Sequence, residues 1–293
     1  MFKMYLEIAF EAELDTNEHP ELLEMARELC EEDLETRVSA IQELRDMIYE
    51  RGECAPRRTD NEFLLRFLRQ HRFVVRRAHR QLVRYCTFLE QYPDLYRGVD
   101  LWGLARLGAA YEVCILDRPG VGRISILRFG AWDPDEHPGI FLVQVAFAMT
   151  EIWLRLPKLQ VLGGTLIVDL QNITMKHVAA LTPTIAYQIV CLVGLALPCA
   201  PNSIHIINYN WLLHTFFFLF KRFIPKKAWK KIHFHRHDLE SLRQIIDPEC
   251  LPARYGGTCR HHTTIGHWFN KIRQYRDEAF DREMKEYGWL IKE

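Results

Sequence analysis

No phosphate cradle and no nucleophile elbow occurs in this chain. There is no GxGxxG behind a strand, no GxxxxGK followed by Ser or Thr, and no GxSxG. The lone GxG of Gly120 and Gly122 falls in a turn and holds no phosphate. Paired cysteines are missing as well. Eight cysteines are scattered with no CxxC and no compact framework, which excludes a disulfide-stapled scaffold and fits reduced thiols in the cytoplasm. Net charge is absent, with 38 Lys and Arg against 38 Asp and Glu, so overall charge points to no partner. No apolar run meets the roughly 20 residues that a bilayer span needs. The nearest is 177–199, but it carries Thr182, Pro183, Thr184 and Gln188, Pro198 closes it, and no basic flank anchors both ends. It reads as a largely buried helix lying on a sheet. The opening MFKMYLEIAFEAELD is broken by acids before a 7–15-residue apolar core can form, so no secretory signal is expected. Internal repeats and low-complexity segments are also lacking.

Catalytic and metal signatures are thin. His233, His235 and His237 alternate and would share one side of an extended segment, but no Cys or carboxylate at ligand spacing joins them. Cys250, Cys259, His261 and His262 form a second loose group with the same weakness. Asp169 at a strand end and His205 inside a strand have no nucleophile or base beside them in sequence, so both are expected to be structural. The expectation is a binding protein, not an enzyme, with no metal and no cofactor.

What is present is 293 residues of ordinary globular composition, 48% hydrophobic and 26% charged, enough for one large domain or two smaller ones. Residues 20–50 show helical spacing through Leu22, Leu23, Met25, Ala26 and Leu29, then Leu34, Val38, Ile41, Leu44 and Ile48. Asp60 reads as an N-cap ahead of Phe63, Leu64, Leu65, Phe67 and Leu68, and a further helix fits 75–91. Beyond residue 100 the pattern changes to short β-rich runs at 113–116, 123–128, 165–170 and 203–208, with helical stretches at 140–156, 178–197 and 212–221 between the later ones. Strands spaced by helices predict an α/β layer with parallel or mixed pairing, preceded by an all-helical region. The tail, 266–293, is a further polar helix candidate.

The most informative stretch is 211–232, WLLHTFFFLFKRFIPKKAWKKI. Phe216, Phe217, Phe218 and Phe220 surround Leu219, and Lys221, Arg222, Lys226, Lys227, Lys230 and Lys231 follow. Aromatics rimmed by cations suit a surface that meets an anionic membrane. The bland alternative is a core helix with a solvated basic end. Charge is uneven elsewhere too: residues 1–50 hold fifteen acids against four bases, and 51–84 hold ten Arg against three acids. Both read first as solvated helix faces.

Several separated motifs in order resemble the CRAL-TRIO lipid-binding family, its tocopherol- and retinaldehyde-binding members in particular. DNEFLLRFLRQHRFVVRRAHRQLVRY is similar to the family's helical N-terminal region. GGTLIVDLQNITMKHVAALTP is similar to its later strands, NSIHIINYNWLLHTFFFLFKRFIPKKAWKKIHFH to a strand and mobile lid, and DPECLPARYGG to its closing segment. The resemblance covers roughly residues 20–275. It implies a helical domain over 1–100, a lipid-binding α/β domain over 101–265 and a C-terminal helix over 266–293. It also implies a mixed or parallel sheet flanked by helices, with a lipid cavity closed by a helical gate near 208–231. Carried over to this chain, the pocket would be Val143, Ala146 and Thr150; Leu166, Val168 and Ile173; Leu192, Leu197 and Ile204; and, on the lid, Leu212, Leu213, Phe216, Leu219 and Phe220. A phosphoinositide cleft would use Arg66, Lys227 and Lys231. Ala200 and Asn202 stand where that cleft has two basic residues, and Ile173, Ala146 and Thr150 replace a Trp and two serines of the tocopherol-binding pattern.

The leading expectation is therefore a cytoplasmic, peripheral and monomeric carrier. It would bind a tocopherol-like, retinoid or other isoprenoid lipid and transfer it between membranes, opening its lid at anionic or phosphoinositide-bearing ones. The alternative is a phosphoinositide-binding trafficking module that transfers nothing. Nucleic-acid binding through the Arg-rich helix at 66–84 is a distant third, since no nucleic-acid motif is present.

Overall fold

The computed structural model describes Phe10 and residues 12–292, so most of the opening segment lies outside the described residues, as do the side chains of Leu213 and Phe216. Helices α1 (Pro20–Cys30) and α2 (Leu34–Arg51) are separated by Glu31, which adopts the left-handed conformation at φ 58°, and by Asp33, whose carboxylate caps α2 by accepting from the Glu35 N–H at 2.9 Å. Such a cap satisfies one of the donors that a helix start leaves open. Helix α3 (Asn61–Gln70) starts at the expected cap, Asp60, which accepts from the Phe63 N–H at 2.9 Å, and α4 (Val75–Gln91) has the bounds that its periodicity predicts. Leu34 and Val38 differ from expectation. Both are exposed, because α2 buries only its later stripe of Ile41, Leu44 and Ile48.

Six strands then form one mixed sheet: β1 (Tyr111–Arg118), β2 (Gly122–Arg128), β3 (Gly164–Asp169), β4 (Ser203–Ile207), β5 (Ile232–Arg236) and β6 (His262–Thr264), in the order β5-β4-β3-β2-β1-β6. The β2–β3, β3–β4 and β4–β5 pairs are parallel, and β1 runs antiparallel to both β2 and β6. The four strands read from sequence are β1 to β4. The other two were not expected as strands, since HFHRH lacks the apolar run of a buried strand and β6 is three residues long.

Between the strands lie α5 (Gly139–Trp153), α6 (Pro157–Leu162), α7 (Met175–Ala180), α8 (Pro183–Val190) and α9 (Leu213–Lys221). The run 177–199 is thus not one helix. Pro183 occupies the first turn of α8, behind the Thr182 cap, and residues 191–195 form an irregular turn in which Gly194 has φ 106°. After β5 come α10 (Leu239–Arg243), α11 (Ile265–Tyr275) and α12 (Glu278–Tyr287). The tail is two amphipathic helices, not one polar helix, with Trp268, Phe269, Ile272, Phe280 and Met284 fully buried. The largest apolar cluster takes side chains from α2 to α4, from the sheet and from α11 and α12 alike.

Strand alternation gives the sheet two different faces. Ile124, Ile126, Ile167 and Ile207 pack into a filled core with Leu242 and Ile246. Asp169 and His205 lie on that side and are engaged: Asp169 accepts from Tyr255 OH at 2.8 Å, from Asn208 Nδ2 at 2.9 Å and from the Gln171 N–H at 3.0 Å. His205 Nδ1 is 2.9 Å from His235 Nε2, its Nε2 is 2.9 Å from Ser203 Oγ, and His233 stacks on its ring. Among the described residues no group of three His, Cys, Asp or Glu is arranged to hold a metal ion.

Burial, aided by the neighbouring His235 and His233, pushes the His205 pKa down to about 3. The unfolded chain, with a histidine near 6.5, therefore takes up a proton before the folded one does. Stability should be insensitive to this group above about pH 6.5 and fall as pH drops toward 3, by up to ~1.4 kcal/mol per pH unit. Urea unfolding between pH 7 and 5 checks this, and His205→Gln should flatten the dependence.

Candidate ligand cavity and lid

The second face of the sheet is not filled. Ser125 and Leu127, Leu166 and Val168, and Ile204 and Ile206 alternate onto it from β2, β3 and β4, in register as Ser125–Leu166–Ile204. Leu166 and Ile204 lie in central strands yet are only half-buried, whereas Ile167 between them in sequence is fully buried. The missing cover is space. An inner cavity of about 150 Å³ lies between β1–β3 and α5, and an outer one of about 280 Å³ lies under α9. They adjoin, sharing Leu127, Leu166, Ile189, Val193 and Pro201.

The wall opposite the sheet is the broken segment after α8. Breaking a helix frees carbonyls that need donors when buried. Gln81, buried on α4, supplies one amide nitrogen to three of them: Leu195 O at 3.2 Å, Ala196 O at 2.8 Å and Leu197 O at 3.0 Å. Gly194 is required here twice over, by its positive φ and because a Cβ would stand 2.9 Å from Ala200 Cα.

The roof is α9 and the loop after it. Phe220 points inward, Phe217 packs edge-on against Trp229 and Phe234 at 5.2 and 5.4 Å, and Phe223 meets Tyr187 at 5.3 Å. Trp211 and Phe218 are 72% and 74% exposed. Lys221, Arg222, Lys226, Lys227 and Lys230 are exposed nearby with no carboxylate paired to any of them among the described residues. Lys231 donates to Pro201 O at 2.8 Å, and its partial burial lowers its pKa.

Of the residues singled out from sequence, Ala146, Thr150, Leu166 and Leu192 line the inner cavity, and Leu166, Val168, Ile204 and Phe220 line the outer one. Val143, Ile173, Leu197 and Leu212 are buried in the main core and line neither, and Leu219 is half-buried against the same core. Val143 sits one turn beyond Gly139, where α5 and α7 approach so closely that a Cβ on Gly139 would come 2.7 Å from Ala180 O. Leu213 and Phe216 have side chains outside the described residues. Lys227 and Lys231 stand at the outer cavity. Arg66 does not join them. It is buried on α3, its Nη1 3.3 Å from Glu151 Oε2 and its guanidinium over Phe63. Burial raises the Glu151 pKa, while Arg66 opposes the rise, so this arginine answers a buried carboxylate on α5. Asn202 is likewise taken up, donating to Leu162 O at 2.8 Å. Sequence reasoning missed Tyr111, Ser125 and Trp153, which nothing local marked, whereas Phe217 of the aromatic stretch does line the outer cavity.

With this geometry in place, known proteins offer a comparison. The CRAL/TRIO domain model matches residues 120–257. Clavesin-1 of Xenopus laevis is 30% identical over 274 residues, covering 90% of this chain and 82% of its own length. The chain belongs to the CRAL-TRIO family. Human clavesin-2 is 29% identical over 279 residues, covering 94% of this chain and 85% of its own length. The crystal structure of Sfh5 is a distant match, with a TM-score of 0.44 at 12% identity over 84% of this chain and 99% of that one. Family membership accounts for the mixed sheet flanked by helices and for a lipid-binding function in general. The finer likeness to tocopherol- and retinaldehyde-binding members does not follow from these relatives.

Gln81 ties the helical layer to the cavity wall. Gln81→Met keeps the volume and orphans three buried carbonyls, so it should lower stability by about 1–3 kcal/mol in chemical denaturation.

Proposed function

We propose that the protein is a carrier for one hydrophobic small molecule, an isoprenoid or similarly apolar lipid, which it moves between membranes. The observation that carries this is the pair of adjoining cavities beneath an aromatic roof. The outer cavity of about 280 Å³ has an almost wholly apolar lining that the protein itself does not cover. Filling it with hydrocarbon returns about 0.8 kcal/mol per buried CH₂. The reading of carriage over catalysis is supported by Asp169 and His205, which are held by structural partners on the far face of the sheet.

Transfer requires the roof to lift where exposed aromatics are tolerated. Trp211 and Phe218 already face outward, and each lysine or arginine beside them adds about 1 kcal/mol at an anionic surface. The protein docks peripherally from the cytoplasm; among the described residues no helix is long and apolar enough to cross a membrane. Docking depends on charge density and not on a built phosphoinositide cleft, because Arg66 is committed to Glu151 and Ala200 and Asn202 contribute no cation.

Native mass spectrometry of the purified protein should find one bound lipid per chain, and Ala146→Phe should lower that occupancy with little loss of stability. A chain free of lipid, or an Ala146→Phe variant that loses stability while binding as before, overturns the carrier in favour of a phosphoinositide-binding module with a filled core. Trp211→Ser with Phe218→Ser should weaken co-sedimentation with anionic vesicles at least five-fold, while unfolding changes by under ~0.5 kcal/mol, as for surface positions. Added salt should weaken wild-type binding further, by screening the exposed cations.

A further inference from the structure

The two cavities differ in chemistry. The outer one is walled by Val168, Ile204, Ile206, Phe217, Phe220 and Ile224, with cations only at Lys227 and Lys231. The inner one carries polar side chains, and most are already occupied within the protein. Thr150 donates to Ala146 O at 2.7 Å, and Thr165 to Val121 O at 2.7 Å. The Cys199 thiol lies 3.5 Å from Leu192 O. Gln160 accepts from Arg69 and donates to Leu154 O, and the amide oxygen of Gln70 accepts from the Ala200 N–H.

Four lining groups are left over among the described residues: the Tyr111 and Ser125 hydroxyls and the Gln70 amide nitrogen, which have no hydrogen-bond partner, and the Trp153 indole N–H, which is buried without one. A buried polar group is nearly always paired; the buried Trp153 N–H and the hydroxyls that open onto the same void point to a partner that enters it. Burial alone raises the Tyr111 pKa, so its hydroxyl remains a donor.

Charge narrows that partner. The one cation of the inner cavity, Arg123, is held by two carboxylates: Nε to Asp117 Oδ1 at 2.7 Å, and Nη1 and Nη2 to Glu13 at 2.5 and 2.6 Å. One positive charge between two negative ones offers no attraction to an anion.

Building on the carrier reading, we infer that the inner cavity is a head-group subsite, in which Tyr111 and Ser125 hydrogen-bond an uncharged oxygen function — an alcohol, phenol or carbonyl — of a lipid whose hydrocarbon lies along β3 and β4 beneath the lid. Tyr111 and Ser125 then set specificity. A hydrogen-bonding site discriminates against a ligand that lacks the matching group more strongly than an apolar wall does.

The test uses three 18-carbon probes of one chain length, oleyl alcohol, oleic acid and octadecene, bound to delipidated full-length protein at pH 8. The alcohol should bind at least ten-fold more tightly than the acid or the alkene. In Tyr111→Phe with Ser125→Ala the alcohol should fall to the level of the alkene, while alkene binding stays unchanged. The ligand-free variant should unfold at the same denaturant concentration as wild type, because neither hydroxyl has a protein partner to lose. Oleic acid binding as tightly as the alcohol, with that binding lost in Lys227→Ala with Lys231→Ala, would place the head group at the lid and overturn the inference. So would a double hydroxyl variant that binds the alcohol as before. In either case the carrier reading survives. Failure of all three probes to bind overturns both.

Discussion

A buried carbonyl must find a donor, and a helix that breaks inside a protein leaves several without one. The segment after α8 breaks at Gly194, and Gln81 meets the three carbonyls that result. Much else depends on this contact. The break turns the chain outward and leaves the outer cavity, and Gln81 makes that break tolerable by linking it to α4. The helical N-terminal layer thus takes part in the ligand site without lining its apolar end.

The same layer explains why Arg66 does not stand beside the lysines of the lid. Glu151 on α5 is fully buried, and Arg66 and Tyr85 reach it from α3 and α4. A lone buried carboxylate is strongly destabilising, and removing one partner of such a pair typically costs 3–5 kcal/mol. Arg66 is therefore held by packing energetics. Lys226, Lys227 and Lys230, after α9, meet no comparable demand and remain exposed with no carboxylate paired to them among the described residues. Within one chain, burial sorts cations into structural and available ones, and the lid keeps the available ones.

Together these features yield a directional container. One face of the sheet is a packed core and the other a void, polar at its β1–β2 end and apolar beneath α9. The roof is the crossover between β4 and β5, so it is anchored at both ends by parallel strands while its middle carries the exposed Trp211 and Phe218. The roof thus presents aromatic side chains both to the apolar space beneath it and to its outer surface.

Sequence alone determined the layers: helical periodicity through residue 91, the Asp60 cap, four apolar strands, and an aromatic–basic stretch after the fourth of them. These rest on local physics, because period, capping and strand propensity act within a few residues. Tertiary structure decided the rest. Whether an apolar residue lines a void or fills a core depends on how closely two distant elements approach, so Val143 and Ala146, one turn apart on α5, part ways. Whether a cation binds a membrane depends on what it is buried against, which separated Arg66 from Lys227. Whether a hydroxyl is free depends on every neighbour it fails to meet, and for that reason Tyr111 and Ser125 were visible only once the chain was folded.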